Sequence, residues 1–196
     1  MMSEFVSEFE RETIFATLCS SVGVNFTYAT GASMSMDEVT ELLHDMGFFT
    51  QPASTRFHGA YEGGLFDHSY RVATELLKLT DALHLDWERR CSPGVIGLFH
   101  DLCKVDNYQI DTSGEPGPKF KYNDRPSVWG PGHGSKSVAI ASTLIQLTPE
   151  EVACIRYHMG AYEKNEWDNL DVAIRRFNNV LWTHTADMVA SKFYNT

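Results

Sequence analysis

The sequence predicts an all-α fold, interrupted by a short β-hairpin or long loop around 106–131, and three observations predict it. Apolar residues recur at three- and four-residue spacing through most of the chain, the pattern of helices with one buried face. Start and stop signals bracket those stretches: Ser35 with Glu38 three residues later, Ser92-Pro93, Thr148-Pro149-Glu150-Glu151, and Gly47 as a terminator. Between about 106 and 131 the helical spacing disappears and Gly, Pro and Asp take over.

Taken in order, a first helix is expected over about 3–20, with Phe5, Phe9, Ile14, Phe15 and Leu18 on its apolar side and Gly23 beyond it. A second covers about 35–46 and carries His44 as a surface or capping residue. This leader, residues 1–50, shows no chemistry of its own and is expected to pack on the motif-bearing core. Pro52, Gly59 and Gly63-Gly64 make 51–64 a loop. The next helix, about 65–83, buries Val72, Leu76, Leu77 and Leu79, and His84 at its end suits the negative pole of the helix dipole. Ser92-Pro93 opens a helix that runs through His100-Asp101 to about 105. Beyond it, residues 108–111 and 119–122 pair as a hairpin across 113–117, forming a lid or rim or else a solvated hairpin. Helical spacing returns over about 133–147, 149–158, 170–178 and 180–194, and the loop at 160–170 offers Tyr162 and Trp167 for stacking on a base or for packing. No repeat or boundary divides the chain, so one domain is expected over 1–196, with its motif-bearing core at 58–191.

Composition narrows the function classes. A chain of 196 residues can bury a substantial core unaided, and 43% hydrophobic with 21% charged residues is ordinary for a soluble domain. No apolar run approaches the roughly 18 residues of a membrane span, and the acidic start, Met1 to Glu8, is unlike a signal peptide, so a cytoplasmic protein is expected. Cys19, Cys91, Cys103 and Cys154 form no C-x-x-C pair, which argues against a zinc knuckle or disulfide framework and for reduced core thiols. Cys103 is expected to pack, with oxidation or metal coordination as its alternatives. A net charge of −10 speaks against an extended nucleic-acid track and favours a small phosphorylated substrate. Surplus aromatics in the first two helices are compatible with a homodimer.

The chemistry centres on Leu98-Phe99-His100-Asp101-Leu102-Cys103-Lys104. An apolar helix places imidazole beside carboxylate only where something repays their desolvation, and a metal ion does so. His68 follows a glycine pair, His133 stands among glycines, and His158 and Asp187 sit in apolar helical patterns, none of them a solvated polar face. Mixed imidazole and carboxylate donors suit Mn, Fe, Ni, Co or Zn, with Mg also admitted.

The order His68, His100-Asp101, Asp187 resembles the signature of the HD-domain metal-dependent phosphohydrolases. The phrases running from His58 to Ser69 (HGAYEGGLFDHS) and from His100 to Lys104 (HDLCK) resemble the subgroup of small HD hydrolases and HD-type 3′–5′ exoribonucleases. The resemblance covers about 58–191. It implies an HD-domain helical bundle and phosphate-ester hydrolysis. It also implies one divalent metal on His68, His100, Asp101 and Asp187, and a second ion on His133 and His158 with Asp101 as the bridge. Two such ions, about 3.5–4 Å apart, clamp a phosphoryl group and activate water. Asp101 and Lys104 are the expected catalytic pair, Lys104 neutralising phosphate oxygens or else closing a salt bridge to Asp101 or Asp106. His58, Arg71, His184, Lys119, Lys121 and Arg125 are candidate substrate contacts, each with a supporting or surface role as its alternative. Cys103 replaces the glycine familiar after the doublet, and the 196 residues show no oligonucleotide-binding domain. The expected activity is therefore hydrolysis of a small phosphate ester, a nucleotide being the favoured substrate. The alternatives are a phosphodiesterase or 3′–5′ exonuclease on short single strands and a non-catalytic metal- or nucleotide-binding regulatory domain.

Overall fold

The computed structural model describes residues 7–113, 117, 119–126, 132–162 and 167–193, so the expected helix start near residue 3, the hairpin tip, the turn before Gly132 and the chain end lie outside the described residues. The described chain is mostly helical. Its elements are α1 (Glu8–Val22), β1 (Phe26–Thr27), β2 (Ser33–Met34), α2 (Met36–Met46), α3 (Gly64–Leu83), α4 (Ser92–Phe99), β3 (Tyr108–Ile110), β4 (Phe120–Tyr122), α5 (His133–Ala141), α6 (Pro149–Tyr157), α7 (Trp167–Arg176) and α8 (Asn179–Phe193). Short 3₁₀ helices cover Leu102–Asp106 and Gly160–Tyr162. None of the described helices is long and apolar enough to cross a membrane. The β3–β4 ladder pairs Tyr108 with Tyr122 and Ile110 with Phe120, the hairpin expected there. A second small ladder, Phe26 with Met34 and Thr27 with Ser33, has no counterpart among the expected elements.

Capping boxes start three helices: Ser7 with Glu10, Ser35 with Glu38 and Thr148 with Glu151. α1 and α2 end on left-handed Gly23 and Gly47, but the ends nearest the site follow a different logic. The helix expected to run through His100-Asp101 to 105 stops at Phe99, because the His100 Nδ1–H takes the Gly97 carbonyl at 2.8 Å, the acceptor that the Asp101 amide would need to continue an α-helix. Asp101 leaves the helix at φ −107°, ψ 15°, and the chain tightens into the 3₁₀ turn. His158 ends α6 in the same way, its Nδ1–H donating to the Ile155 carbonyl at 2.8 Å. Two other boundaries shift: α5 closes at Ala141 rather than near 147, and α7 opens at Trp167 rather than 170.

Buried residues from Phe15 on α1 to Ala190 on α8 form one continuous core. The leader enters it through rings. Phe15 and Phe26 lie 6.4 and 6.1 Å from Phe99, beside His100, while Phe48 and Phe49 lie 5.7 and 5.4 Å from Phe66, two residues before His68.

Away from the site, a polar network joins the starts of three helices. The fully buried Glu151 accepts from Arg89 Nε at 2.8 Å and from Ser92 Oγ at 2.8 Å, and Glu150 accepts from Asn179 Nδ2 at 2.8 Å. Burial of these carboxylates is tolerated because Glu151 is ion-paired with Arg89 and Glu150 is hydrogen-bonded by Asn179 and by the Glu88 amide at 2.8 Å. With their starts fastened together, α4, α6 and α8 run side by side, and His100, His158 and Asp187 fall eight, nine and eight residues after the first residues Ser92, Pro149 and Asn179. At ~1.5 Å rise per residue the three side chains reach one level, about 12–14 Å from the network.

Candidate metal centre

Five segments deliver side chains to that level. His68 lies in the second turn of α3, His100-Asp101 at the break after α4, His133 at the first residue of α5, His158 at the end of α6 and Asp187 midway along α8. Asp101 is the hub. Its Oδ2 lies 3.4 Å from His68 Nε2, 3.4 Å from His100 Nε2 and 2.7 Å from Lys104 Nζ. Its Oδ1 lies 2.6 Å from His133 Nε2 and 3.5 Å from His158 Nε2. The carboxylate thus turns one oxygen to each of two imidazole pairs. Asp187 Oδ1 stands 3.1 Å from His68 Nε2, and the His68 and His100 Nε2 atoms are 3.2 Å apart.

The donor set carries its own test of whether a cation belongs there. His100 and His158 spend Nδ1–H on main-chain carbonyls, which assigns their neutral rings the tautomer with a bare Nε2. Both lone pairs then face an anionic carboxylate across 3.4–3.5 Å, acceptor against acceptor. His158 Nε2 is buried and without a hydrogen-bond partner. Converging acceptors of this kind fit a divalent metal. The groups His68, His100, Asp101; His100, His158, Asp187; and Asp101, His133, His158 each place their ligand atoms within 4.8 Å of one another.

Electrostatics follow from burial and pairing. Burial pushes the Asp101 carboxyl up, but interactions led by the Lys104 ammonium at 2.7 Å outweigh it and hold Asp101 well below the usual carboxylate range. Asp187 is likewise held low, its burial outweighed by His68. For Lys104, burial works against the charge and Asp101 more than restores it, leaving its pKa raised. Burial would lower His68, yet its bonds to Asp101 and Asp187 prevail and its pKa is raised. A cation must take the lone pair that this proton occupies. Cation binding is therefore expected to release a proton, and affinity to fall about tenfold per pH unit once pH drops below the His68 pKa. The stabilisation from protonated His68 against its carboxylates has the opposite sign, full below the ordinary imidazole range and lost as pH rises through the raised value. Calorimetric titration in buffers of different ionisation enthalpy reads the released proton, and buffer-independent heats would contradict this assignment.

The remaining sequence candidates are less uniform. The His58 ring lies 4.7 Å from that of His68, and burial, then the charges of His68 and Lys104, pull its pKa down to about 4, so it faces the site as a neutral donor rather than a cation. Arg71, one turn beyond His68 on α3, lies near Tyr61. His184 donates from Nδ1 to the His158 carbonyl at 2.8 Å and packs over Gly160, which braces the His158 segment. Lys121 is 3.5 Å from Asp111, Lys119 lies over the Phe120 ring, and Arg125 is exposed. Among the described residues these three make no hydrogen bond or ion pair with the cluster; the hairpin reaches it instead through Tyr108, which lies near Lys104. Tyr162 and Trp167 are exposed. Cys103 Sγ is 3.2 and 3.6 Å from the two ring nitrogens of His133, near-equal separations that put it over the ring face, and burial pushes its thiol up to about 12. A neutral packing thiol is the role this geometry supports.

Sequence reading missed the polar fastenings around the site. Arg11 pairs with Asp67, and the buried Lys136 ties α5 to Asp106 and Asn107. Glycines at helix crossings also escaped notice: a side chain on Gly97 would strike Ala73 of α3, and one on Gly134 would strike Arg156 of α6. Their signal was a glycine inside an otherwise helical run. Comparison with family models, with curated proteins and with solved structures returns no match.

Proposed function

We propose that this chain is a metal-dependent phosphohydrolase of the HD-domain superfamily, acting on a small phosphorylated substrate with a nucleotide as the favoured class. The observation that carries the reading is Asp101, each of whose oxygens faces a separate imidazole pair while a buried lysine stands alongside. His68, His100, Asp101 and Asp187 would hold one divalent ion, and His133 and His158 with Asp101 a second. When bound, such ions polarise phosphoryl oxygens and acidify a water molecule for in-line attack. Mn, Fe, Ni, Co and Zn match the donors best.

The chain's own groups set the rest. Asp101 is kept ionised by Lys104 and so remains a ligand at acid pH. The Lys104 ammonium donates one of its three N–H bonds to Asp101 Oδ2 at 2.7 Å and keeps two donors for phosphate oxygens as their charge develops. His58, neutral beside His68, can donate to the substrate without competing for the anion's charge. A net charge of −10 favours a compact phosphate ester over a long nucleic acid.

Metal analysis of the purified protein, coupled to a panel of mononucleotides, cyclic nucleotides and short labelled oligonucleotides, tests the reading. Metal-dependent phosphate release from mononucleotides is expected. Turnover of oligonucleotides alone would replace it with a phosphodiesterase or 3′–5′ exonuclease, and tight binding of a nucleotide without turnover would replace it with a regulatory domain. Lys104→Met is expected to retain the metal and to lower kcat by roughly 10²-fold, the scale of losing one fixed stabiliser of transition-state charge; loss of metal in that variant would give Lys104 a purely supporting part.

A further inference from the structure

The geometry points to Arg11 as a positioning residue for the metal centre, acting from the leader helix through Asp67 on His68. This role rests on the metal reading above and extends it to a segment in which the sequence shows no chemistry.

The start of α3 lacks a cap of its own. Its N-cap is Gly63 in a left-handed conformation with no side-chain bond to the helix, whereas α1, α2 and α6 each begin with a capping box. An uncapped first turn frays, yet this one is followed directly by His68. The missing bonds come from elsewhere: the Gly63 amide donates to the Thr50 carbonyl at 2.7 Å, Leu65 to Gln51 at 3.0 Å and Gly64 to Tyr61 at 3.0 Å. Thr50 and Gln51 lie where the leader joins the loop, so main chain there serves as the cap.

Arg11 completes the clamp. Its side chain is buried, and its fork meets Asp67 with Nε at 2.9 Å from Oδ1 and Nη2 at 3.4 Å from Oδ2. Tyr61 donates to the same Oδ2 at 3.0 Å. The guanidinium lies against the Gly63 main chain, where a Cβ would come within 2.1 Å of Cζ, so residue 63 yields its side-chain volume to Arg11. Asp67 is held by both oxygens and its peptide neighbour is His68. Fixing Asp67 therefore fixes the rotation of this part of α3 and the direction of His68 Nε2. Ligand atoms must sit within about 0.5 Å and 10–20° of their working geometry, a tolerance that an uncapped turn does not meet unaided.

The test uses the full chain with manganese or cobalt(II). Cation affinity is measured by competition with a chelator, and Tm is recorded with and without saturating metal, for wild type, Arg11→Met, Arg11→Lys and Tyr61→Phe. Arg11→Met is expected to weaken cation affinity by roughly 10-fold or more, the scale seen for outer partners of metal ligands, and to shrink the rise in Tm that metal produces. Arg11→Lys, which keeps the charge and loses the fork, recovers part of both. Should Arg11→Met not fold, Tyr61→Phe removes a single bond to Asp67 and is expected to shift affinity in the same direction by less. Affinity within twofold of wild type, with Tm lowered equally in the presence and absence of metal, would make Arg11 a fastening between α1 and α3 and overturn the role. A wild-type chain that takes up neither cation overturns the metal reading itself, and this role with it.

Discussion

Asp101→Asn abolishes cation binding and turnover together and also lowers the stability of the metal-free protein. The substitution keeps the shape of the side chain and removes its charge, at a residue whose two oxygens contact Lys104 at 2.7 Å, His133 at 2.6 Å and three further imidazoles at 3.4–3.5 Å. The amide is neutral and supplies one acceptor where the carboxylate supplies two, so both imidazole pairs lose their anionic oxygen and one of them loses its acceptor altogether. The loss of metal affinity is expected to exceed the roughly 10–100-fold that accompanies removal of a supporting partner. Stability falls for a separate reason. Lys104 is buried and its ammonium is compensated by Asp101, so neutralising the partner leaves a cation in a poorly solvated site, at about 3–5 kcal/mol. In a chain of this size that corresponds to a fall of roughly 10 °C in Tm. The two effects separate in a double-mutant cycle. Asp101→Asn with Lys104→Met removes the stranded cation and is expected to regain most of the lost stability while still failing to bind metal. Full metal occupancy in Asp101→Asn would show that another residue is the hub.

What could be read from the sequence and what could not divides along the range of the interactions. Helix starts set by neighbours three residues apart were legible, as at Ser35 and Glu38 or Thr148 and Glu151, because the cap and its partner are local. So was the hairpin, whose strands alternate and flank a turn-rich segment. The end of α4 was not. Residues 95–105 carry no Gly or Pro after Gly97 to stop a helix, and the terminator is the His100 ring taking the Gly97 carbonyl, a bond that depends on where the ring must point. The residues of the candidate site could be named from their types and order. Their support could not: Arg11 lies 56 residues from Asp67, and Arg89 lies 62 from Glu151, and nothing local marks either pair. Similarly, Lys119, Lys121 and Arg125 read as phosphate contacts by charge alone, and charge says nothing of where a hairpin aims its side chains.

Gly97→Ala tests whether the spacing of α3 and α4 sets the site. A Cβ at this position would lie 2.2 Å from Ala73 Cα and 2.4 Å from Ala73 N, main-chain atoms with no rotamer to yield. To accept it the helices must move apart by about 1 Å or more, since non-bonded carbons settle near 3.5–4.0 Å. The displaced elements carry the ligands, for Ala73 is five residues beyond His68 and Gly97 three before His100, whose Nε2 atoms are 3.2 Å apart. Overpacking of this kind is destabilising by about 1–3 kcal/mol or more, and the helix-propensity gain of about 1 kcal/mol for Gly to Ala offsets only part. Gly94, on the same helix, is the control: a Cβ there would meet the Val22 Cγ2 methyl at 3.0 Å, the tip of a side chain that can shift. Gly94→Ala is expected to lie within about 1 kcal/mol of wild type, and Gly97→Ala to lose stability and cation affinity together. Removing the Ala73 side chain should not rescue Gly97→Ala, because the closest contacts are main chain. Equal melting temperatures for the two glycine variants, or full rescue by Ala73→Gly, would mean that α4 can shift without disturbing the pairing of His68 with His100.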